Sequence, residues 1–305
     1  MLRWVLWIDM KKISPKLRGK LYQNHLLAEY TFWKIGGAAE YFYEPVDLED
    51  LKLLLQSWHE GPITILGAAT NVLIRDKGIK GLVIYLRNCL NESNELDNST
   101  LRAEAGVGLA RLLQKCMSLG MTGAAFMAGI PGTVGGALAM NAGAYGDCIW
   151  KHVVAVETIN RFGEIKLRPA EEFIANYRQV IGLGAEEWFV RAQLVFVRGD
   201  VQEMQCQVSE HLQKRKSSQP LDLPSCGSVF RNPPGDYAAR LIEVVGLKGR
   251  QIGGAKISEK HANFIVNCGK ALASDVEALM REIMLTVNRV HKIDLIPEIH
   301  ILGEK

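Results

Sequence analysis

The chain has 305 residues, 48% of them hydrophobic and 23% charged, which is globular composition with enough apolar material for more than one core and excludes a disordered chain. Its 36 Lys and Arg against 33 Asp and Glu leave a formal charge of +3, too even a balance to imply nucleic-acid binding, while a small anionic ligand stays compatible with it. The six cysteines at 89, 116, 148, 206, 226 and 268 form no CxxC pair and no metal-ligand spacing with the seven histidines, so free thiols in a reducing compartment and no metal site are expected.

In chain order, residues 1–8 are apolar apart from Arg3 but too short for a secretory segment, and no run reaches the roughly 18–20 apolar residues that cross a bilayer. The sequence from Met10, MKKISPKLRGK, reads as a natural start, which makes residues 1–9 an upstream extension, and the N-terminal stretch as a whole is expected to last to residue 23. Residues 40–43 read as extended, followed by a helix capped by Asp47 with Leu48, Leu51, Leu55 and Trp58 on one face. Apolar strands are expected at 63–66 and 82–86, and the polar run 91–100 reads as a turn or small excursion between two lobes.

The second lobe opens with a strand at 101–105 and an amphipathic helix at 109–119 that Gly120 ends. A glycine-rich segment fills 123–146, strands are expected at 153–159 and 188–197, and a helix at 171–177 between them. From Asp200 a charged amphipathic helix runs to about Lys216 before QPLDLP breaks the pattern, and the main domain boundary is placed near residue 200. A strand at 263–266 and a helix at 274–291 follow, Ser274 and Glu277 fitting a capping box.

Two segments have the composition of an anion cradle, because glycines and small residues let backbone N–H groups approach phosphate oxygens closely. One is Gly67-Ala68-Ala69-Thr70-Asn71 after the strand at 63–66, and the other is Gly129-Ile130-Pro131-Gly132-Thr133 leading into Gly135-Gly136 and a helix. Neither is a P-loop or a GxGxxG fingerprint, and tight turns or close helix packing explain such glycines equally well.

The segments TFWKIGG from Thr31, ILGAATNVLIRD from Ile65, GIPGTVGGALAMNAGAYG from Gly129, Tyr177-Arg178, QPLDLPSCGSVFRNP from Gln219, LIEVVGLKGRQIGGAKISEKHANFIVN from Leu241, and Pro297-Glu298 occur in that order. Together they resemble the UDP-N-acetylenolpyruvoylglucosamine reductases over nearly the whole chain after about residue 24, in the shorter form without a Tyr-bearing substrate loop. The resemblance implies an α+β protein: a two-lobed FAD-binding domain of the vanillyl-alcohol-oxidase type at 24–199, with lobes at about 24–90 and 91–199, and a C-terminal α+β substrate-binding domain at 200–305. It implies non-covalent FAD, NADPH as co-substrate, a UDP-sugar substrate, cytoplasmic peptidoglycan precursor synthesis, and no nucleic-acid, membrane or obligate protein partner.

By the same resemblance Arg178 and Glu298 polarise the substrate carboxylate and Ser228 donates a proton, while residues 67–71 and 129–136 cradle the flavin pyrophosphate. From residue type alone, Arg178 reads equally as a surface ion-pair partner, Ser228 as a turn hydroxyl and Glu298 as a strand-edge carboxylate. The substrate pyrophosphate also calls for cations and hydrogen-bond donors, with Lys214, Arg215, Arg231 and Asn232 as candidates; residues 214–216 also suit a solvated helix end. Two departures from the family are Ala68-Ala69-Thr70 where Gly-Ser is usual and Trp33 where a smaller aromatic is usual. An FAD-dependent oxidase of the same superfamily and a non-catalytic flavin binder stay open as alternatives.

Overall fold

The computed structural model describes residues 16–305, so the extension expected over residues 1–9 lies outside the described residues. The N-terminal stretch expected through residue 23 ends earlier than that, because β1 (Lys20–Leu26) pairs antiparallel with β2 (Ala38–Glu44), Lys20 opposite Glu44 and Leu26 opposite Ala38. As an edge strand with mostly exposed side chains, β1 carries no apolar alternation that would announce it.

The first lobe continues through α1 (Leu48–Ser57), which starts where the Asp47 carboxylate accepts from Asp50 N at 2.9 Å. Leu51, Leu54, Leu55 and Trp58 are buried together under the sheet, on the expected face. Then come β3 (Ile63–Leu66), β4 (Val72–Ile74) and β5 (Ile79–Tyr85). β5 is the parallel partner of both β2 and β3, giving the order β1-β2-β5-β3, and β4 stands apart from that sheet.

The second lobe is a five-stranded antiparallel sheet of β6 (Ser93–Glu95), β7 (Thr100–Glu104), β8 (Val153–Asn160), β9 (Ile165–Pro169) and, later in the chain, β12 (Glu187–Val195). Its order is β9-β8-β12-β7-β6. The polar run 91–100 therefore contains a short edge strand, recognisable only by its pairing with β7. The helix α2 (Leu109–Ser118) ends as expected, with Gly120 at φ +70°.

The helix expected at 171–177 is absent. After one 3-10 turn at Ala170–Glu172 the chain forms a hairpin of β10 (Ile174–Asn176) and β11 (Gln179–Ile181), with Arg178 at φ +57° in its turn. Phe173 and Tyr177 have helical spacing, but Phe173 is drawn into a buried cluster with Trp150 and Phe189, and that packing overrides local preference.

Between α2 and β8 lies the short helix α3 (Val134–Met140), and after β12 comes α4 (Val201–Ser218), which starts where expected and is capped by the Asp200 side chain. Met204 of α4 is buried in the second lobe's core and Val208 packs against it. This helix therefore belongs with the lobe before it, and we place the start of the last domain at 219 instead of 200.

The last domain packs α5 (Ala238–Val244) and α6 (Ala273–His291) on a small sheet of β13 (Gln251–Ile252), β14 (Ala255–Ile257) and β15 (Ile265–Asn267). The strand expected at 263–266 begins later, since Asn263 turns its side chain onto Phe230 and Phe264 N closes a turn to His261 O. The capping box expected from Ser274 and Glu277 does not form. The helix N-cap is Leu272, whose N–H donates to Asp275 Oδ2 at 3.0 Å. The core of this domain also takes in Trp33, Ile35 and Leu73 of the first lobe, and β16 (His300–Leu302) pairs parallel with β4.

Candidate active site

The two glycine-rich segments face each other. Thr70 Oγ1 donates to the Pro131 carbonyl at 3.2 Å, and a Cβ built on Gly67 would stand 2.5 Å from Thr133 Oγ1. Gly135 is equally confined, its Cβ position lying 2.9 Å from Ala105 Cβ, whereas Gly136 has 3.7 Å to Thr133 Oγ1. Within the cradle the N–H groups of Gly67, Ala68, Ala69, Thr70 and Asn71, and of Gly129, Gly132 and Thr133, donate to no acceptor among the described residues.

Ala68 and Ala69 are buried, and the buried Thr133 hydroxyl also has no partner. Each buried donor left without an acceptor costs about 1–3 kcal/mol. An acceptor-rich anionic group removes that cost, and a cradle of this kind fits the diphosphate of a dinucleotide such as FAD. Not every expected member contributes a free donor: Ile130 N donates to Met127 O at 3.0 Å, its side chain packs against the second lobe's core, and Pro131 offers only its carbonyl.

Arg178, Ser228 and Glu298 arrive from three elements. Arg178 Nε donates to Glu298 Oε1 at 2.6 Å across 120 positions of sequence, and its Nη1 donates to Gly143 O at 3.2 Å. Residues 229–231 run antiparallel to 296–298: Glu298 N donates to Val229 O at 2.8 Å and Arg231 N to Ile296 O at 2.9 Å, with Phe230 bridged to Pro297. Ser228 is thus one residue from the direct backbone partner of Glu298. Its half-buried hydroxyl has no hydrogen-bond partner among the described residues. The Glu298 carbonyl accepts from Asn71 Nδ2 at 3.0 Å, which ties this cluster to the cradle.

Asn263 is a residue whose positioning role sequence reasoning did not assign. Its side chain accepts from Phe230 N at 3.0 Å and donates to Phe230 O at 2.8 Å, and its carbonyl accepts from Val229 N, so the segment after Ser228 is held on both edges. The only signal for it was an asparagine inside the apolar run of residues 262–266. His300, on the strand that follows Glu298, lies 2.9 Å from Met140 Sδ through Nε2 and was likewise not singled out.

The four candidates for substrate pyrophosphate separate. Arg231 Nη2 donates to the Arg178 carbonyl at 3.3 Å while its buried Nε has no partner. The Arg215 stem covers Gly129, where a Cβ would meet its Cδ at 2.6 Å. Burial, together with the nearby charge of Arg178 and against a favourable contribution from Tyr145, lowers the Arg215 pKa from its ordinary value. Tyr145 is stacked on His211, one helical turn before Arg215, with ring centroids 3.6 Å apart. Lys214 is exposed and is not brought to the cluster, and Asn232 spends its Oδ1 on Ala238 N at 3.1 Å.

Among the described residues no group of His, Cys, Asp and Glu could hold a metal ion, and no helix is long and apolar enough to cross a membrane. Residues 39–167 match the family model of an FAD binding domain, and residues 219–302 match that of the UDP-N-acetylenolpyruvoylglucosamine reductase C-terminal domain. Cradle, fold and matched domains together define an FAD-binding oxidoreductase with a separate C-terminal domain of reductase type.

The chain is 49% identical to a UDP-N-acetylenolpyruvoylglucosamine reductase of Coxiella burnetii, covering 96% of this chain and 99% of that one. It is 47% identical to that of Legionella pneumophila, with 97% and 96% covered. The crystal structure of the reductase from Thermus caldophilus superposes with a TM-score of 0.79 at 31% identity, covering 94% of this chain and 99% of that one. The chain belongs to the UDP-N-acetylenolpyruvoylglucosamine reductase family, oxidoreductases that act on a CH–CH group.

Proposed function

We propose that this chain uses NADPH and bound FAD to reduce the enolpyruvyl group of UDP-N-acetylglucosamine enolpyruvate to UDP-N-acetylmuramate, in the cytoplasm, as a step of peptidoglycan precursor synthesis. The observation that carries this reading is the joining of Arg178, Glu298 and the Ser228 segment by one ion pair and one backbone hydrogen bond, with Asn71 of the cradle bonded to the same Glu298. Held by the cradle and reduced by NADPH, FAD would supply the hydride for the terminal carbon of the enolpyruvyl group. Negative charge then develops on the adjacent carbon and its carboxylate.

Arg178 suits that charge. Glu298 and the Gly143 carbonyl hold its Nε and Nη1, and its Nη2 has no acceptor among the described residues, so one edge of a preoriented guanidinium is left for an incoming carboxylate. Ser228 suits the proton. Its hydroxyl is not committed to another acceptor, and an enolate is basic enough to deprotonate an unactivated hydroxyl. The cations beside Arg178, Arg215 and Arg231, suit the pyrophosphate of the UDP-sugar.

Purified protein given NADPH and the enolpyruvyl UDP-sugar should oxidise NADPH only when the sugar is present, and its failure to do so would remove the reading. In Ser228→Ala, flavin content and flavin reduction by NADPH should persist while turnover falls by about 10²–10⁴-fold, the usual worth of a positioned acid. Ordinary turnover in that variant would remove Ser228 as proton donor.

A further inference from the structure

Two consecutive residues of the first lobe, Arg75 and Asp76, hold the first turn of the last domain's long helix. Both carboxylate oxygens of Asp76 are engaged, Oδ1 accepting from Ala273 N at 2.8 Å and Oδ2 from Ser274 N at 3.0 Å. Arg75 Nε donates to Glu277 Oε1 at 2.6 Å and its Nη1 to Gly303 O at 3.1 Å. The N-cap residue, Leu272, has no side-chain acceptor, so the capping of α6 is supplied by a residue 197 positions earlier.

These contacts continue a path that begins at the cradle. β4 follows Asn71, pairs with β16 and leads into Arg75, whose own N–H donates to Leu302 O at 2.9 Å. β16 in turn begins two residues after Glu298, and its first N–H, that of His300, donates to Asn71 O at 3.0 Å. On the other side of the latch, α6 buries Val276, Leu279 and Ile283 in the core that also holds Val229, Phe230 and Ile299, the neighbours of Ser228 and Glu298.

We propose that Arg75 and Asp76 are positioning residues. They clamp the domain carrying Ser228 and Glu298 in register with the flavin cradle, so that loosening the clamp impairs transfer to the sugar more than reduction of the flavin. This rests on the functional reading above for the substrate, and on the hydrogen bonds alone for the clamp. A merely structural role would lower stability and slow both half-reactions together.

The test uses the flavin-loaded full chain in three variants: Asp76→Ala, Asp76→Asn, which keeps one carbonyl acceptor, and Leu54→Ala, a core truncation in α1, whose core is separate from the one around Ser228 and Glu298. Reoxidation of NADPH-reduced flavin by the enolpyruvyl UDP-sugar should slow about tenfold or more in Asp76→Ala, because displacements near 1 Å cost on the order of 100-fold. Flavin reduction by NADPH should stay within about twofold of wild type, and Asp76→Asn, which keeps one of the two acceptors, should recover part of the loss. Amide hydrogen exchange over residues 296–302 should accelerate in Asp76→Ala and not in Leu54→Ala.

Equal slowing of both half-reactions, a loss matched by Leu54→Ala, or unchanged exchange over 296–302 would each overturn the clamp. A wild-type protein whose reduced flavin is not reoxidised by the sugar would overturn the functional reading instead, and the exchange measurement would still decide the clamp.

Discussion

His261 shows how a single buried ring links packing to pH. Its ring meets Phe264 edge-on with centroids 4.7 Å apart, and its Nδ1 is buried without a partner. Burial, with the charge of Lys248 adding to it, pushes the imidazole pKa below 6.5. As pH falls below about 6.5 the unfolded chain takes up this proton before the folded one does, so stability declines from there down to the folded pKa. Urea midpoints measured from about pH 7 down to about pH 5 should therefore drop less steeply in His261→Phe than in wild type; an identical slope would assign the decline to other groups. At this scale the sequence was an uneven guide. Arg178, Ser228 and Glu298 stood out by resemblance, whereas Asn263, whose side chain brackets Phe230, has a role only because of what folds against it.

The cradle belongs to the scale of elements, since it exists only where two loops meet. Gly67 has no positive φ to satisfy, so an alanine there acts by volume alone, its Cβ 2.5 Å from the Thr133 hydroxyl. Overpacking of this kind costs about 1–3 kcal/mol. Gly67→Ala should therefore weaken flavin binding by about tenfold or more, read by titrating flavin fluorescence into the apoprotein, and unaltered affinity would mean that the loops part freely. Elements with a local signature were legible: Asp47 before α1, Asp200 before α4 and Gly120 after α2 all stand where the caps and stops fall. β1, β6 and the hairpin bearing Arg178 were not, because edge strands expose most of their side chains and the hairpin is fixed by the burial of Phe173 against Trp150 and Phe189.

At the scale of the whole molecule the last domain is sewn to the first lobe by β16 on β4, by the Arg75–Asp76 clamp and by Trp33. The indole of Trp33 is fully buried in the last domain's core, Nε1 donating to Ile265 O at 2.7 Å, while its carbonyl accepts from Asn267 Nδ2 at 2.9 Å. Trp33→Ala should cost about 3–5 kcal/mol, seen as a lower urea midpoint, and a change under about 1 kcal/mol would mean the two parts hold without it. The amino-acid sequence by itself determined the helices and strands with strong local patterns, and, through the order of its motifs, the family. Helix caps, turn glycines and apolar periodicity act over a few residues, so they can be read one window at a time. Only the tertiary structure decided that α4 belongs with the second lobe, that Asp76 caps a helix 197 positions away, and that Arg178 meets Glu298 across 120 positions. Those outcomes depend on how separate cores and strand edges dock, and no stretch of neighbouring residues carries that information.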